Sequence, residues 1–212
     1  FILKNSLFDC IGIASADPFP LEDVKRLKRC KKAFHDKTLI VHDDEVFQPE
    51  DMLTGARSII IICRNSYFGK GELSFEQARA ELRGDIGEFV CNPNFMNDGV
   101  MRIQKVIDFL EERGFKAFSL NAGMFPLKLK AREAGVGRYG KNALIQNDLL
   151  GSYMSLAGII TDAELPPDEP IHKDCKGCTL CIDACPTGAL SEYACDVEKC
   201  LDFNICHNKK YI

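Results

Sequence analysis

Seven of the eleven cysteines in this 212-residue chain fall between Cys175 and Cys206. The densest stretch reads Cys175-x-x-Cys178-x-x-Cys181-x-x-x-Cys185-Pro186. Thiolates are soft ligands, suited to zinc or to iron–sulfur clusters. Three of them at this spacing can wrap round one cubic cluster. A fourth, held before proline, turns away, and in two-cluster ferredoxins it ligates the other cluster. Zinc also accepts four thiolates, and that alternative stays open, but zinc sites pair two separate Cys-x-x-Cys knuckles. The run therefore reads as a [4Fe–4S] site, in a chain that handles electrons. Two cubanes would need eight thiolates, whereas the tail supplies seven. Cys175, Cys178, Cys181, Cys185, Cys200 and Cys206 are the candidate ligands, and Cys195 reads as an unligated thiol. The sequence ends at Asn208-Lys-Lys-Tyr-Ile212 with no helix cap, so further ligands are expected beyond Ile212.

A second candidate for chemistry is Ala134-Gly-Val-Gly-Arg-Tyr-Gly-Lys-Asn142, followed by Gly151-Ser152. Gly135, Gly137 and Gly140 would let the backbone approach a large group, and amides in such a loop can hold an anion or an amide. The plainer reading is that Gly135 caps a helix and the rest is a turn. The spacing matches neither a dinucleotide fingerprint nor a P-loop. His35, His42, His172 and His207 form no metal pattern and read as surface residues. No Ser/His/Asp or Cys/His arrangement stands out.

The elements that must position these residues follow from patterning. Cys10–Ala14 suits a buried strand, and apolar residues recur at helical spacing from Leu21 to Phe34. Pro49 can open a short helix ending near Gly55. Ser58-Ile-Ile-Ile-Ile-Cys63 is apolar on both faces and fits a central strand covered on both sides. Residues 64–98 hold four glycines and a proline, with a helix-like patch from Phe75 to Leu82, and suggest a functional, partly mobile loop. Asn97 or Asp98 can cap the next helix, which Gly114 stops. Phe115–Leu120 then alternates as a strand, Pro126 opens a helix closed by Gly135, and Met154–Ile160 is a last strand. Leu165-Pro-Pro-Asp-Glu-Pro170 reads as a hinge. The outcome is a layered α/β (α+β) domain over 1–168 and a small ferredoxin-like iron–sulfur domain over 169–212, truncated at its end.

Apolar residues make up 46% of the chain and charged residues 27%, the balance of a soluble globular protein. A net charge of −4 gives no general reason to expect nucleic acid or a membrane surface. No apolar run approaches the length of a membrane helix, and nothing reads as a secretory leader, although the chain opens on Phe1. Cys10, Cys30, Cys63 and Cys91 sit in or beside apolar segments and read as small buried hydrophobes. A reducing, cytoplasmic setting is expected.

Taken in order, Ile11-Gly-Ile-Ala-Ser-Ala-Asp17, Gly55-Ala-Arg-Ser-Ile-Ile-Ile-Ile62, the glycine segment, Gly151-Ser, Ile160-Thr-Asp162 and the cysteine run resemble the epoxyqueuosine reductase family. The glycine segment placed some 35 residues ahead of the cysteines is the most telling part. The related reductive dehalogenases share the arrangement. The resemblance implies a nitroreductase-like domain that holds a corrinoid (cobalamin), with cluster electrons reducing its cobalt. It implies Cys175, Cys178 and Cys181 on the cluster nearest that domain, and Cys185 and Cys200 beginning a second. The corrin would be cradled by Gly135, Gly137, Tyr139, Gly140, Lys141, Asn142, Gly151 and Ser152. A small electron-donor protein is the implied partner.

Three departures bear on activity. Where the family carries an acidic residue, taken to be the proton donor, this chain has Asn121, and an amide cannot act as a general acid. Asp98 or Glu133 could stand in. The segment 64–97 does not match the family's, and the basic helical-repeat tail by which longer members hold tRNA is absent, so tRNA is not expected as a partner. The leading expectation is a corrinoid-dependent iron–sulfur reductase whose substrate need not be epoxyqueuosine. The alternative is an electron carrier or activator that reduces a separate corrinoid protein. A ferredoxin module on a flavin-binding domain is a third reading, from fold alone.

Overall fold

The computed structural model describes residues 7–25, 48–67, 80, 92–120 and 125–207. Among these, the central feature is a four-stranded sheet in the order β1-β2-β6-β3, with every neighbouring pair antiparallel. Its strands are β1 (Cys10–Ser15), β2 (Ser58–Asn65), β3 (Ala117–Leu120) and β6 (Met154–Thr161). The two longest apolar runs, β2 and β6, take the middle positions. There both faces are covered, and burial of each isoleucine side chain stabilises by about 2–3 kcal/mol.

Among the described residues, a helix covers part of each face of the sheet. Ile60, Ile62 and Ile159 point to the side covered by α2 (Pro93–Glu111), which contributes Val106, Ile107 and Leu110. Ile59, Ile61, Cys63 and Ile160 point to the other side. That side is closed by α3 (Leu127–Glu133), with Phe125, Leu127, Leu129, Ala131 and Val136. The mixed α/β layering expected from the sequence is present. Alternating strands and helices ordinarily imply parallel pairing. Here β6 instead inserts between β2 and β3 and runs against both.

Most boundaries match the pattern. The short helix α1 (Pro49–Met52) opens on Pro49, and Gly114 and Gly135 adopt positive φ of 83° and 66° beyond α2 and α3. Residues 21–25 are helical, while the rest of the expected helix, Cys30, Cys91, the Phe75–Leu82 patch apart from Ala80, Asn121 and residues 208–212 lie outside the described residues. Two expectations are corrected. The cap of α2 is Asn92, not Asn97 or Asp98: its Oδ1 accepts from the Asn94 and Phe95 amides at 3.1 and 3.2 Å. Pro93 then fills the first helical position, where no amide is needed. The proline-rich segment is also no free hinge, because Asp168 is bonded to the backbone of β1. Asp168 N donates to Ile13 O and Ile13 N donates to Asp168 Oδ2, both at 2.8 Å.

No helix among the described residues is long and apolar enough to cross a membrane.

Candidate iron–sulfur site and the facing glycine hairpin

The cysteine run is shaped by short-range turns. Cys178 N donates to Cys175 O at 2.9 Å, and Lys176 between them holds a positive φ of 43°. Thr179 precedes α4 (Leu180–Asp183), which carries Cys181, and its hydroxyl donates to Asp183 at 2.7 Å. Cys185 N closes the helix on Ile182 O at 3.1 Å, and Pro186 prevents any continuation. A hairpin follows, β7 (Leu190–Ser191) against β8 (Ala194–Cys195), then α5 (Leu201–His207), which contains Cys206.

The described thiols of the run, together with Cys195 and Cys200, are all free. The Thr187 hydroxyl, 3.7 Å from Cys185 Sγ, and the amides of Thr187, Leu190 and Ala189 bring the Cys185 thiol down to about 7. Cys195 is pushed up to about 11 by burial first, then by the neighbouring Cys200 thiol. The structure thus sets Cys195 beside Cys200 and within electrostatic reach of Cys185, a grouping that sequence spacing does not reveal.

Among the described residues, no three His, Cys, Asp or Glu side chains gather round a point suited to a single metal ion. A cubane spreads its ligands over separate iron corners, so its fit is judged on the donors. These are free, solvent-reachable thiols in amide-rich turns, the ligand chemistry an iron–sulfur cluster takes.

The glycine segment forms a second hairpin, β4 (Arg138–Tyr139) against β5 (Ile145–Gln146). Its glycines are required mainly by the chain itself. A Cβ on Gly137 would lie 2.6 Å from Gln146 O, and one on Gly135 would lie 2.6 Å from Glu169 O. The plainer reading of Gly135 and Gly137, as helix cap and turn, is therefore sufficient for both. Gly151 differs: it holds a positive φ of 61° and a Cβ there would meet nothing within 4 Å. Beside it, Ser152 is half-buried, while Leu149 and Tyr153 are exposed. Asn147 ties this turn to the hairpin, with Nδ2 donating to Val136 O at 2.6 Å and Oδ1 accepting from Leu149 N at 2.8 Å. Tyr139 packs against the core, and Asn142 Oδ1 accepts from Leu144 N at 3.2 Å.

Two connections join this hairpin to the cysteine segment. Lys141 is buried, and its ammonium meets Glu192 Oε1 at 2.5 Å while its carbonyl accepts from Tyr193 N at 3.1 Å. Glu192 raises the Lys141 pKa, with a smaller contribution from Cys175. Asp148 lies between Lys173 at 2.5 Å and Arg138 at 3.0 Å. Lys173 first, then Arg138, holds its carboxyl below the usual range. Glu192, Tyr193, Asp148 and Lys173 carried no motif by which sequence reading could have chosen them.

The two carboxylates that could stand in for an acid at position 121 are both engaged. Asp98 bonds Arg64 and Arg102, each at 2.8 Å. Glu133 bonds the buried Lys130 at 2.7 Å. His172 is exposed, as expected of a surface residue.

A family model described as a 4Fe-4S binding domain matches residues 170–191, the stretch containing the first four cysteines of the tail. The epoxyqueuosine reductase of Bacillus cereus is 35% identical over 210 residues, covering 94% of this chain and 53% of that protein. This chain is similar to epoxyqueuosine reductases along nearly its whole length. That of Leadbetterella byssophila is 32% identical over 206 residues, covering 92% of the chain and 64% of the protein. A solved selenomethionine-labelled epoxyqueuosine reductase superposes with a TM-score of 0.77 at 27% identity, over 95% of this chain and 56% of that one. The Streptococcus thermophilus epoxyqueuosine reductase gives 0.71 at 25% identity, over 96% and 58%. A reductive dehalogenase described in connection with B12-dependent dehalogenation shares the fold, with a TM-score of 0.57 at 19% identity over 95% of this chain and 28% of that one. The chain therefore spans between about half and just under two thirds of these curated epoxyqueuosine reductases. The resemblance carried by the motifs is borne out.

Proposed function

We propose that this chain is an iron–sulfur oxidoreductase of the epoxyqueuosine reductase kind. Its nitroreductase-like domain, residues 1–168, would seat a corrinoid against the glycine hairpin and the Gly151 turn. Its ferredoxin-like domain, residues 169–212, would hold the cluster. The observation that carries this reading is the pair of ties, Lys141 to Glu192 and Asp148 to Lys173, which fasten the cysteine segment to the glycine hairpin. An electron donor is useful only where its acceptor is held close by.

Cys175, Cys178 and Cys181 would hold the cluster, with Cys185, Cys200 and Cys206 completing it or beginning a second. Open space at Gly151, flanked by exposed Leu149 and Tyr153, fits a large and partly apolar ring. When bound, the cluster supplies single electrons and the corrinoid a cobalt centre that can be strongly reduced. The chain's own residues position and shield. Asn147 fixes the Gly151 turn, Lys141 fixes the cysteine hairpin, and Asn121 would orient a substrate by hydrogen bonding without supplying a proton.

One solved relative is described in complex with an epoxyqueuosine-modified tRNA stem loop. This chain, with its net charge of −4, is read as acting on a different substrate. A small electron-donor protein and a cytoplasmic location fit a reducible cluster. The second reading, an electron carrier or activator for a separate corrinoid protein, is favoured by one observation: Asp98 and Glu133 are both committed to ion pairs, which leaves no spare acid among them to replace the family's proton donor.

The test is anaerobic purification, incubation with cobalamin, and analysis for iron, cobalt and zinc. Iron near eight per chain, the two-cubane count, with retained stoichiometric cobalt supports the corrinoid oxidoreductase. Iron near four without cobalt supports the carrier, and zinc in place of iron overturns both. Cys178→Ala should abolish the broad visible absorption of the cluster.

A further inference from the structure

Lys141 makes contacts that a lysine chosen only to touch a bound cofactor would not need. Its side chain is 5% exposed and ends on Glu192 Oε1 at 2.5 Å, in the turn between β7 and β8. Its carbonyl takes the amide of the next residue, Tyr193, which is held at a positive φ of 60°. One residue of the glycine hairpin thus grips two successive residues of the cysteine hairpin, by side chain and by main chain. The gripped hairpin ends in Cys195, paired across it with Leu190, whose amide faces Cys185. The ammonium itself lies within electrostatic reach of Cys175.

We propose that Lys141 is a positioning residue that sets the cysteine hairpin on the glycine hairpin and holds the cluster at a higher reduction potential than it would otherwise have. A fixed cation near a cluster stabilises the form that has gained an electron, and solvent screens it little when the cation is buried. Glu192 opposes it from a more exposed position, its side chain being 62% exposed. The pair therefore acts on the cluster as a partly compensated cation. This inference rests on the cluster half of the proposed function and not on the corrinoid half.

The test is an EPR-monitored redox titration of the purified iron-loaded chain and three variants, with iron content and melting temperature measured alongside. Lys141→Met should shift the cluster potential downward, and Glu192→Gln should shift it upward. Lys141→Arg should stay close to the parent. Opposite signs cannot come from mere loosening, which would move both variants the same way. Equal potentials in all proteins, or shifts of one sign in Lys141→Met and Glu192→Gln, overturn the proposal. If Lys141→Met fails to hold iron, Glu192→Gln alone decides, since glutamine keeps an oxygen for the Lys141 ammonium while removing the charge, and an unshifted or lowered potential refutes the idea. Cobalt retention is scored separately, so loss of the corrinoid reading would not be mistaken for loss of this one.

Discussion

Asp168 pairs with Ile13 as a strand residue would, giving its amide to the Ile13 carbonyl and taking the Ile13 amide on its carboxylate, both at 2.8 Å. The edge of β1 is thereby closed by the segment that leads into the cysteine domain. Exposed sheet edges invite unwanted pairing, and this contact blunts one.

Asp168→Ala should therefore lower stability modestly, by about 1 kcal/mol, because one hydrogen bond to a charged but exposed acceptor is lost. Chemical denaturation of the iron-loaded chain checks the magnitude, and light scattering checks whether the unmasked edge promotes association. An unchanged denaturation midpoint would show the contact to be energetically idle.

Gly12 packs face-on against the end of α3, where a Cβ would lie 2.0 Å from Ala134 O. Backbone cannot yield as a side-chain tip can. Gly12→Ala should thus cost about 3 kcal/mol, the upper range for overpacking. Thermal melting reports it, and Gly55→Ala serves as contrast: Gly55 has open space but a φ of 79°, so only the smaller backbone cost applies.

Lys130 is buried to 1% exposure and bonds Ser15 O, Asp17 O and Glu133 Oε2 at 3.0, 3.1 and 2.7 Å. Lys130→Met keeps the aliphatic stem but strands two carbonyls and a partly buried carboxylate. A loss of about 3 kcal/mol is expected, at the lower end for a broken buried pair because Glu133 retains some contact with water. Urea denaturation measures it.

Cys10 and Cys63 are direct cross-strand partners facing the same core. The Cys63 thiol beside it brings Cys10 down to about 7, and the same pairing together with burial pushes Cys63 far up. Only the thiolate is nucleophilic. Since the Cys10 pKa is lowered, its reactive form persists well below the ordinary thiol range and is lost as pH falls through about 7. Iodoacetamide labelling followed by peptide mapping should show Cys10 modification half-maximal near that pH and Cys63 unmodified throughout. Cys63→Ala, which removes the neighbouring thiol, should move the midpoint upward.

Local patterns in the sequence determined a good deal. The four apolar runs of the sheet, the proline that opens α1, the glycines beyond α2 and α3, and the cysteine spacing all act over a few residues, and each is found where the pattern puts it. Asn92, Asn97 and Asp98 are all competent caps by residue type, and the folded chain uses the first, with Phe95 one turn on buried. Tertiary structure alone decided the antiparallel insertion of β6, since strand order depends on contacts between segments far apart in the chain. It also decided the roles of Lys141, Glu192, Asp148 and Asp168, which are ordinary charged residues in the sequence. Charges acquire meaning from what lies within a few ångströms, and that distance is set by how the two hairpins dock, not by spacing along the chain.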